Sequence, residues 1–295
     1  MKKRFVWCLI TLLSFKVQAQ NAALTQKLQQ VIVGKKAQVG IAVLDDKGQP
    51  LALINHTSFY AMQSVFKFHI ALYVLNQVDA GVFKLTDTIA ISKDEMNNNM
   101  YSPLRDLKPK GGKFTLAKII EYTVAHSDNV GCDLLLKMVG GPAVVNQYFK
   151  KNGFTDIDIL YTESQMNTSV DYQLKNRTTP VSAVNLLYKS YINQPALLKK
   201  SSYDFIWDVM LHCKTGVKRL PNLLPKQTKI AHKTGSSGTD KNGLTHATND
   251  IGIIFLPNGK PVYVSVFVGN STEPNHTNEA LIAQIGAAVY AHCKP

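Results

Sequence analysis

Cysteine is scarce in this sequence, and what there is does not pair off. Of four cysteines in 295 residues, Cys8 falls in an N-terminal apolar segment, leaving Cys132, Cys213 and Cys293. An odd number gives no disulfide framework and leaves at least one thiol unpaired within the chain. The histidines stand apart, with neither His-x-His nor His-Glu-x-x-His, so no catalytic zinc site, other metal or cofactor is expected. Past residue 20 no run approaches the roughly 18 apolar residues that a bilayer crossing needs, which excludes stable membrane insertion by a helix. Acid is also short, 20 Asp and Glu against 33 Lys and Arg. The basic residues are scattered and no nucleic-acid-binding motif accompanies them, so nucleic acid is not the expected partner. A dispersed basic surface suits small anions or a polyanionic envelope better.

What is present begins with MKKRFVWCLITLLSFKVQAQ: Lys2, Lys3 and Arg4, a short apolar segment, then Val17-Gln18-Ala19. This pattern reads as an export signal over 1–19, cleaved after Ala19. Its removal leaves 29 basic and 20 acidic residues, net +9. The remaining chain is long enough for one large domain or two smaller ones.

Leu24, Leu28, Val31 and Ile32 recur at helical spacing over 21–34, and 37–56 reads as two strands around Asp46-Lys47-Gly48. From 61 to 212 the pattern is mainly helical, with helices expected at 63–79, 115–125, 129–139, 142–152, 180–192 and 201–212. Residues 157–180 lack convincing periodicity, and irregular stretches of that length tend to be functional. Strands return at 227–235, 249–256 and 261–268, followed by a closing helix over 276–293. The expected fold class is α/β (α+β). An antiparallel sheet is flanked by N- and C-terminal helices, in a discontinuous unit of 20–60 and 213–295. An all-helical unit, 61–212, is inserted and carries the loop 157–180. A site is expected in the cleft between the units, and nothing demands more than a monomer.

Within the apolar stretch AMQSVFKFHIALYVL, Lys67 follows Ser64 by three residues. A helix that is greasy on every side is normally buried, and a lysine there needs a partner or a task. Three-residue spacing puts the ammonium group within reach of the hydroxyl. Desolvation makes such a lysine a competent base, and the N–H groups of the helix start favour charge on an oxyanion. Ser127-Asp128-Asn129 fits an ordinary helix cap, but capping does not require the Asn. Lys-Thr-Gly occurs twice. Lys214-Thr215-Gly216 looks like the punctuation after a helix, whereas Lys233-Thr234-Gly235 closes an alternating strand and runs into Ser236-Ser237-Gly238, small residues that let a ligand approach the backbone.

Taken together, Ser-x-x-Lys, Ser-Asp-Asn roughly 60 residues later and Lys-Thr-Gly on a late strand resemble the motif set of class A serine β-lactamases and penicillin-binding proteins. The resemblance covers essentially the whole mature chain, with an overall likeness to the cephalosporin-hydrolysing branch of Bacteroides-type bacteria. It implies a small-molecule β-lactam substrate and a periplasmic enzyme. It implies that Ser64 attacks the lactam carbonyl, helped by Lys67 or by Glu163 through a water, with an oxyanion hole from the N–H groups of Ser64 and Ser236. Ser127 then passes a proton to the ring nitrogen. Asn129 meets the substrate's side-chain amide, Tyr101 forms an aromatic wall, and Lys233, Thr234 and Arg219 hold the carboxylate beside Gly235. In the loop, Glu163 with Asn167 activates the water that clears the acyl group. The family often pairs an Arg two before the loop Glu with an Asp thirteen after it; here Tyr161 and Asn176 stand there, so the loop must be fastened differently. Gln63 before Ser64, and no Cys near Gly235, disfavour carbapenem hydrolysis. Two rivals share the chemistry: a D,D-peptidase, and a sensor that stays acylated, which would need a membrane span.

Overall fold

The computed structural model of the protein describes residues 21–96 and 99–295; the expected leader lies outside the described residues. Helix α1 (21–32) buries Leu24 and Leu28 and ends at a turn where Gly34 takes a φ of +76°. Strands β1 (Gln38–Leu44) and β2 (Pro50–Ile54) form the expected hairpin, and Asp45 Oδ1 accepts from the N–H groups of Lys47 and Gln49 in its turn. After β3 (Tyr60–Ala61) and a single 3-10 turn (Gln63–Val65) comes α2 (Phe66–Asp79), then β4 (Thr88–Ile91), α3 (Lys93–Met96), α4 (Pro103–Leu107) and β5 (Gly112–Thr115). The chain continues through α5 (Leu116–Ala125), α6 (Asn129–Met138), α7 (Pro142–Lys151), β6 (Ile157–Asp158), α8 (Glu163–Met166), α9 (Val170–Lys175), β7 (Arg177–Thr178), α10 (Pro180–Ile192) and α11 (Lys200–Leu211). It closes with β8 (Ile230–Ser236), β9 (Thr245–Phe255), β10 (Pro261–Ser271) and α12 (Asn275–Cys293).

One antiparallel sheet, in the order β2-β1-β10-β9-β8, divides two apolar cores. Strand side chains alternate between faces, and the sequence uses both. Ile41, Val43, Val264 and Val266 pack with Leu281, Ile282 and Ile285 of α12 and with Leu24 and Leu28 of α1. Their neighbours Ala42, Leu44, Tyr263 and Phe267 face the helices on the other side. Covering both faces explains why β10 reads as a nearly unbroken apolar run. The same logic explains α2, buried from Phe66 to Leu72 because α5, α6, α7 and α11 all pack against it.

Two expectations need correcting. The segment 61–212 is not purely helical: β3, β7 and β6 form a three-stranded sheet, and β4 pairs with β5. Strands of two to four residues are too short for an alternating pattern to register. The stretch 157–180 is likewise structured, with two short helices, α8 capped by a Thr162/Gln165 capping box and α9 by Ser169. At four and six residues, each is shorter than two turns and too brief to develop periodicity. Among the described residues no helix is long and apolar enough to cross a membrane.

Candidate active site

The turn that carries Ser64 is held under strain. Gln63, immediately before Ser64, has a φ of +47°, an unfavourable conformation for a residue with a Cβ, as is the +61° of Ser127. Asn249 of β9 pins this turn by donating Nδ2 to the carbonyls of Ala61 (2.8 Å) and Met62 (3.2 Å). Gly235 lets β8 come alongside: a Cβ there would sit 2.3 Å from the Met62 carbonyl oxygen and 3.3 Å from Ser64 N. Ser236 is thereby brought next to the turn that carries Ser64.

Lys67 does not reach for solvent; it is 0% exposed. Its Nζ donates to Ser64 Oγ (2.9 Å), the Ser127 carbonyl (2.9 Å) and Asn129 Oδ1 (2.5 Å). Those bonds use all three ammonium protons. Glu163 Oε1 lies 2.8 Å away as a fourth neighbour, yet forms no directed hydrogen bond. This contact is therefore Coulombic, and the carboxylate oxygen keeps its lone pairs for another donor.

The Ser127-Asp128-Asn129 segment both caps a helix and contacts the two lysines. Asp128 caps α6 through Gly131 N (2.7 Å), and its other oxygen accepts from Ser102 Oγ (2.8 Å) and Leu104 N (2.6 Å). That ties the Tyr101 segment to α6, as does the bond from Asn129 N to the Tyr101 carbonyl (3.0 Å). Tyr101 itself is 58% exposed. Ser127 bridges two lysines, its carbonyl accepting from Lys67 and its Oγ from Lys233 Nζ at 2.9 Å. Lys233, fully buried, also donates to the Thr234 carbonyl (2.9 Å). Burial and the nearby Lys67 charge bring its pKa down to about 7.

The first Lys-Thr-Gly is more than punctuation. Thr215 Oγ1 lies 2.6 Å from Thr234 Oγ1, and a Cβ at Gly216 would be 2.3 Å from Thr234 Cγ2. One copy of the motif thus packs against the other, a contact that sequence spacing does not reveal. Arg219 is 5% exposed and spends its donors on the protein: Nη1 on the carbonyls of Gly235 (3.1 Å) and Asn249 (2.8 Å), Nη2 on Ser236 Oγ (2.6 Å). It is neither a surface charge nor a free arginine; it fixes the edge of β8.

Glu163 is 8% exposed and opens α8. Asp133 of α6 holds that helix start, accepting from Glu163 N (2.6 Å) and Ser164 N (2.9 Å), a role that no local pattern marks. Asn167, expected to share a water with Glu163, is exposed and donates Nδ2 to Asn99 Oδ1 (2.9 Å). The fastening of the loop falls to Asn176, which is fully buried. Its Oδ1 accepts from Leu160 N (2.8 Å) and Tyr161 N (3.0 Å), and its Nδ2 donates to the Tyr161 carbonyl (2.8 Å). Tyr161 stacks on Tyr172 at 4.3 Å, so the two residues that depart from the family pattern close the loop with a carboxamide and an aromatic pair.

A groove of about 850 Å³ lined by Tyr191, Tyr203, Trp207 and Phe255 shares no residue with this cluster. Chemistry, not volume, locates the site: a hydroxyl, two lysines and a carboxylate converge around Ser64 and Ser127. The chain matches the β-lactamase enzyme family over residues 23–293. It belongs to that family. It is 42% identical over 267 residues to β-lactamase VEB-1 of Pseudomonas aeruginosa, covering 90% of this chain and 89% of that protein. Identity to a Bacteroides uniformis β-lactamase is 36% over 284 residues, covering 96% and 95%. The crystal structure of TLA-1 extended-spectrum β-lactamase superposes with a TM-score of 0.89 at 41% identity, covering 92% of this chain and 98% of that one. The fold and homology are those of a class A serine β-lactamase.

Proposed function

We propose that this class A β-lactamase opens cephalosporins, in the manner of the cephalosporin-hydrolysing branch of Bacteroides-type bacteria, through an acyl-enzyme on Ser64. The observation that carries the reading is the position of Lys67 Nζ, 2.9 Å from Ser64 Oγ and 2.8 Å from Glu163 Oε1. One ammonium group touches both the attacking hydroxyl and the carboxylate needed to clear the ester.

Ser64 Oγ attacks the strained carbonyl while its proton passes through a water to Glu163, or to Lys67 once that amine has given up one of its three protons. The N–H groups of Ser64 and Ser236 receive the oxyanion. Ser127, donor-bonded from Lys233, delivers a proton to the departing ring nitrogen. Lys233 and Thr234 hold the substrate carboxylate at the mouth of β8. Arg219 contributes by fixing Ser236 Oγ and the Gly235 carbonyl. Asn129 Oδ1 is committed to Lys67, so contact with the substrate amide falls to its Nδ2, with Tyr101 as the exposed wall. Glu163 Oε1, without a directed hydrogen bond of its own, polarises the hydrolytic water. Asn167 borders that water from the loop.

Cleavage after Ala19 and export to the periplasm put this chemistry where β-lactams meet the cell wall. The unit 61–212 and the unit of 20–60 with 213–295 then face each other across the site. The cephalosporin preference draws support from the names of two relatives, TLA-1 and PER-1, both extended-spectrum β-lactamases, and from the hydroxyl of Ser236 beside the oxyanion position. A D,D-peptidase reading is weakened by Glu163, whose contact with Lys67 supplies the deacylating base that such enzymes lack. Purified protein hydrolyses a chromogenic cephalosporin, and Ser64→Ala abolishes turnover; unchanged turnover in that variant excludes the nucleophile assignment. A strong preference for a penicillin over the cephalosporin overturns the substrate assignment.

A further inference from the structure

Helix α8, only four residues long, carries Glu163 at its start and ends at Met166. Its two ends are held by different partners. Asp133 of α6 takes the first two N–H groups. The last carbonyls of a helix have no partner within it, and the one at Met166 accepts from Gln173 Nε2 of α9 at 3.0 Å. The same carboxamide turns its oxygen to the Ser64 side: Gln173 Oε1 accepts from Gln63 Nε2 at 3.1 Å. Gln63 is buried, and a buried amide needs such a partner. Gln173 is thus bonded at once to the residue before Ser64, held at a φ of +47°, and to the far end of the helix that begins with Glu163. Two further contacts close the same seam. Met62 N donates to the Asn176 carbonyl (2.8 Å), and Asn176 Nδ2 lies 3.3 Å from the buried Met166 Sδ.

We propose that Gln173 is a positioning residue for deacylation: by bonding Gln63 and the Met166 carbonyl through one carboxamide, it sets the spacing between Ser64 and Glu163 within which the hydrolytic water must fit. The proposal rests on the function given above, in which Glu163 activates that water. Gln173 takes no part in proton transfer and acts through α8.

The two halves of the reaction make different demands on this spacing. Attack by Ser64 has Lys67 beside it, and the three hydrogen bonds of Lys67 Nζ go to Ser64, Ser127 and Asn129, none of which belongs to the loop. Clearance of the ester has Glu163 alone, and Glu163 moves with α8. Loss of the Gln173 bonds frees the far end of α8 from the Ser64 turn and leaves the Ser64–Lys67 contact in place. Misplacement by a whole ångström slows a reaction roughly 10²-fold; with Asp133 still holding the other end of α8, roughly tenfold is expected.

The test follows the acyl-enzyme by quench-flow and intact-protein mass spectrometry, with a cephalosporin as probe, in the wild type, Gln173→Met, Gln63→Met, the double variant, Gln173→Glu and Glu163→Ala. Gln173→Met keeps the length of the side chain and removes both bonds. Its ester forms at a little-changed rate and decays roughly tenfold more slowly than in the wild type. The acylated fraction at steady state therefore rises, whereas simple unfolding lowers it. Gln63→Met also slows decay, and the double variant is no slower than Gln173→Met, because both changes break one chain of bonds. Gln173→Glu keeps the bond from Gln63 but offers the Met166 carbonyl no proton, so decay is slow at pH 7; it also serves as the test if Gln173→Met does not fold. Acid returns an O–H donor to that variant, and since a carboxylate facing a carbonyl oxygen has a raised pKa, its deficit against the wild type shrinks as pH falls toward about 5. Decay at the wild-type rate in Gln173→Met, equal slowing of both steps, multiplicative effects of the two Met changes, or a Gln173→Glu deficit independent of pH overturns the proposal. Glu163→Ala that clears its ester as fast as the wild type defeats the proposed function and the positioning role with it. A trapped ester in Glu163→Ala beside wild-type decay in Gln173→Met defeats the positioning role alone.

Discussion

Ser64 and Lys67 act as a pair because a strained turn and a buried helix leave them no alternative. The +47° φ of Gln63 presents the hydroxyl, and the first turns of α2 are buried on every side, so the ammonium group has only Ser64, Ser127, Asn129 and Glu163 to meet. Lys67→Ala removes every one of these contacts, and acylation by a cephalosporin should slow by roughly 10²- to 10⁴-fold in single-turnover kinetics, the span of a lost general base. The second lysine carries a pH dependence. With Lys233 at about 7, its ammonium form, the one that attracts a carboxylate, dominates below neutrality and declines above it. For a carboxylate-bearing substrate kcat/KM, which reports the free enzyme, falls as pH rises past about 7. Lys233→Arg, which stays protonated, moves that fall to higher pH. A pH profile of kcat/KM flat from 6 to 9 in the wild type contradicts the assignment.

Elements turn these residues into a site by close approach. β8 reaches the turn that carries Ser64 only because residue 235 has no side chain, and the obstacle to a Cβ is the Met62 backbone, which cannot swing aside. Gly235→Ala should therefore lower kcat/KM by roughly 10²-fold, the cost of about an ångström of misplacement, with the thermal transition far less affected. Asn176 does for the loop what Gly235 does for the strand. Asn176→Ala leaves the N–H groups of Leu160 and Tyr161 without their buried acceptor and costs about 1–3 kcal/mol, measurable by chemical denaturation, with deacylation slowed more than acylation because Glu163 lies in the same loop. The sequence revealed the long helices almost to the residue, since α5, α6 and α10 have full turns in which a 3.6-residue period can be counted. It also singled out Ser64, Lys67, Ser127 and Lys233 as candidates, and the structure brings them within hydrogen-bonding chains of one another. It did not reveal Asp133, Asn176, Thr215 or Asn249. Each acts through a partner between 15 and 188 positions away, and no local pattern marks a residue whose role is set by a distant contact.

At the scale of the whole molecule, the sheet is a partition. Because β1 and β10 send alternate side chains into different cores, an error on either face reaches the site by a different route. Phe267 belongs to the core shared with α2, and truncation to Ala costs about 3–5 kcal/mol. Val266, its neighbour, belongs to the core under α12, where loss of two methyl groups costs less and leaves the helical side of the cleft untouched. The same partition lets two lysines approach from opposite walls, Lys67 from the helical side and Lys233 from the sheet, to meet at Ser127.

The central claim is that the ester made at Ser64 is cleared by water activated at Glu163, and intact-protein mass spectrometry of Glu163→Ala mixed with a cephalosporin tests it most directly. A covalent adduct that maps to Ser64 and persists in the variant, while the wild type returns to its free mass, is the predicted result; an adduct cleared from the variant as fast as from the wild type contradicts the account.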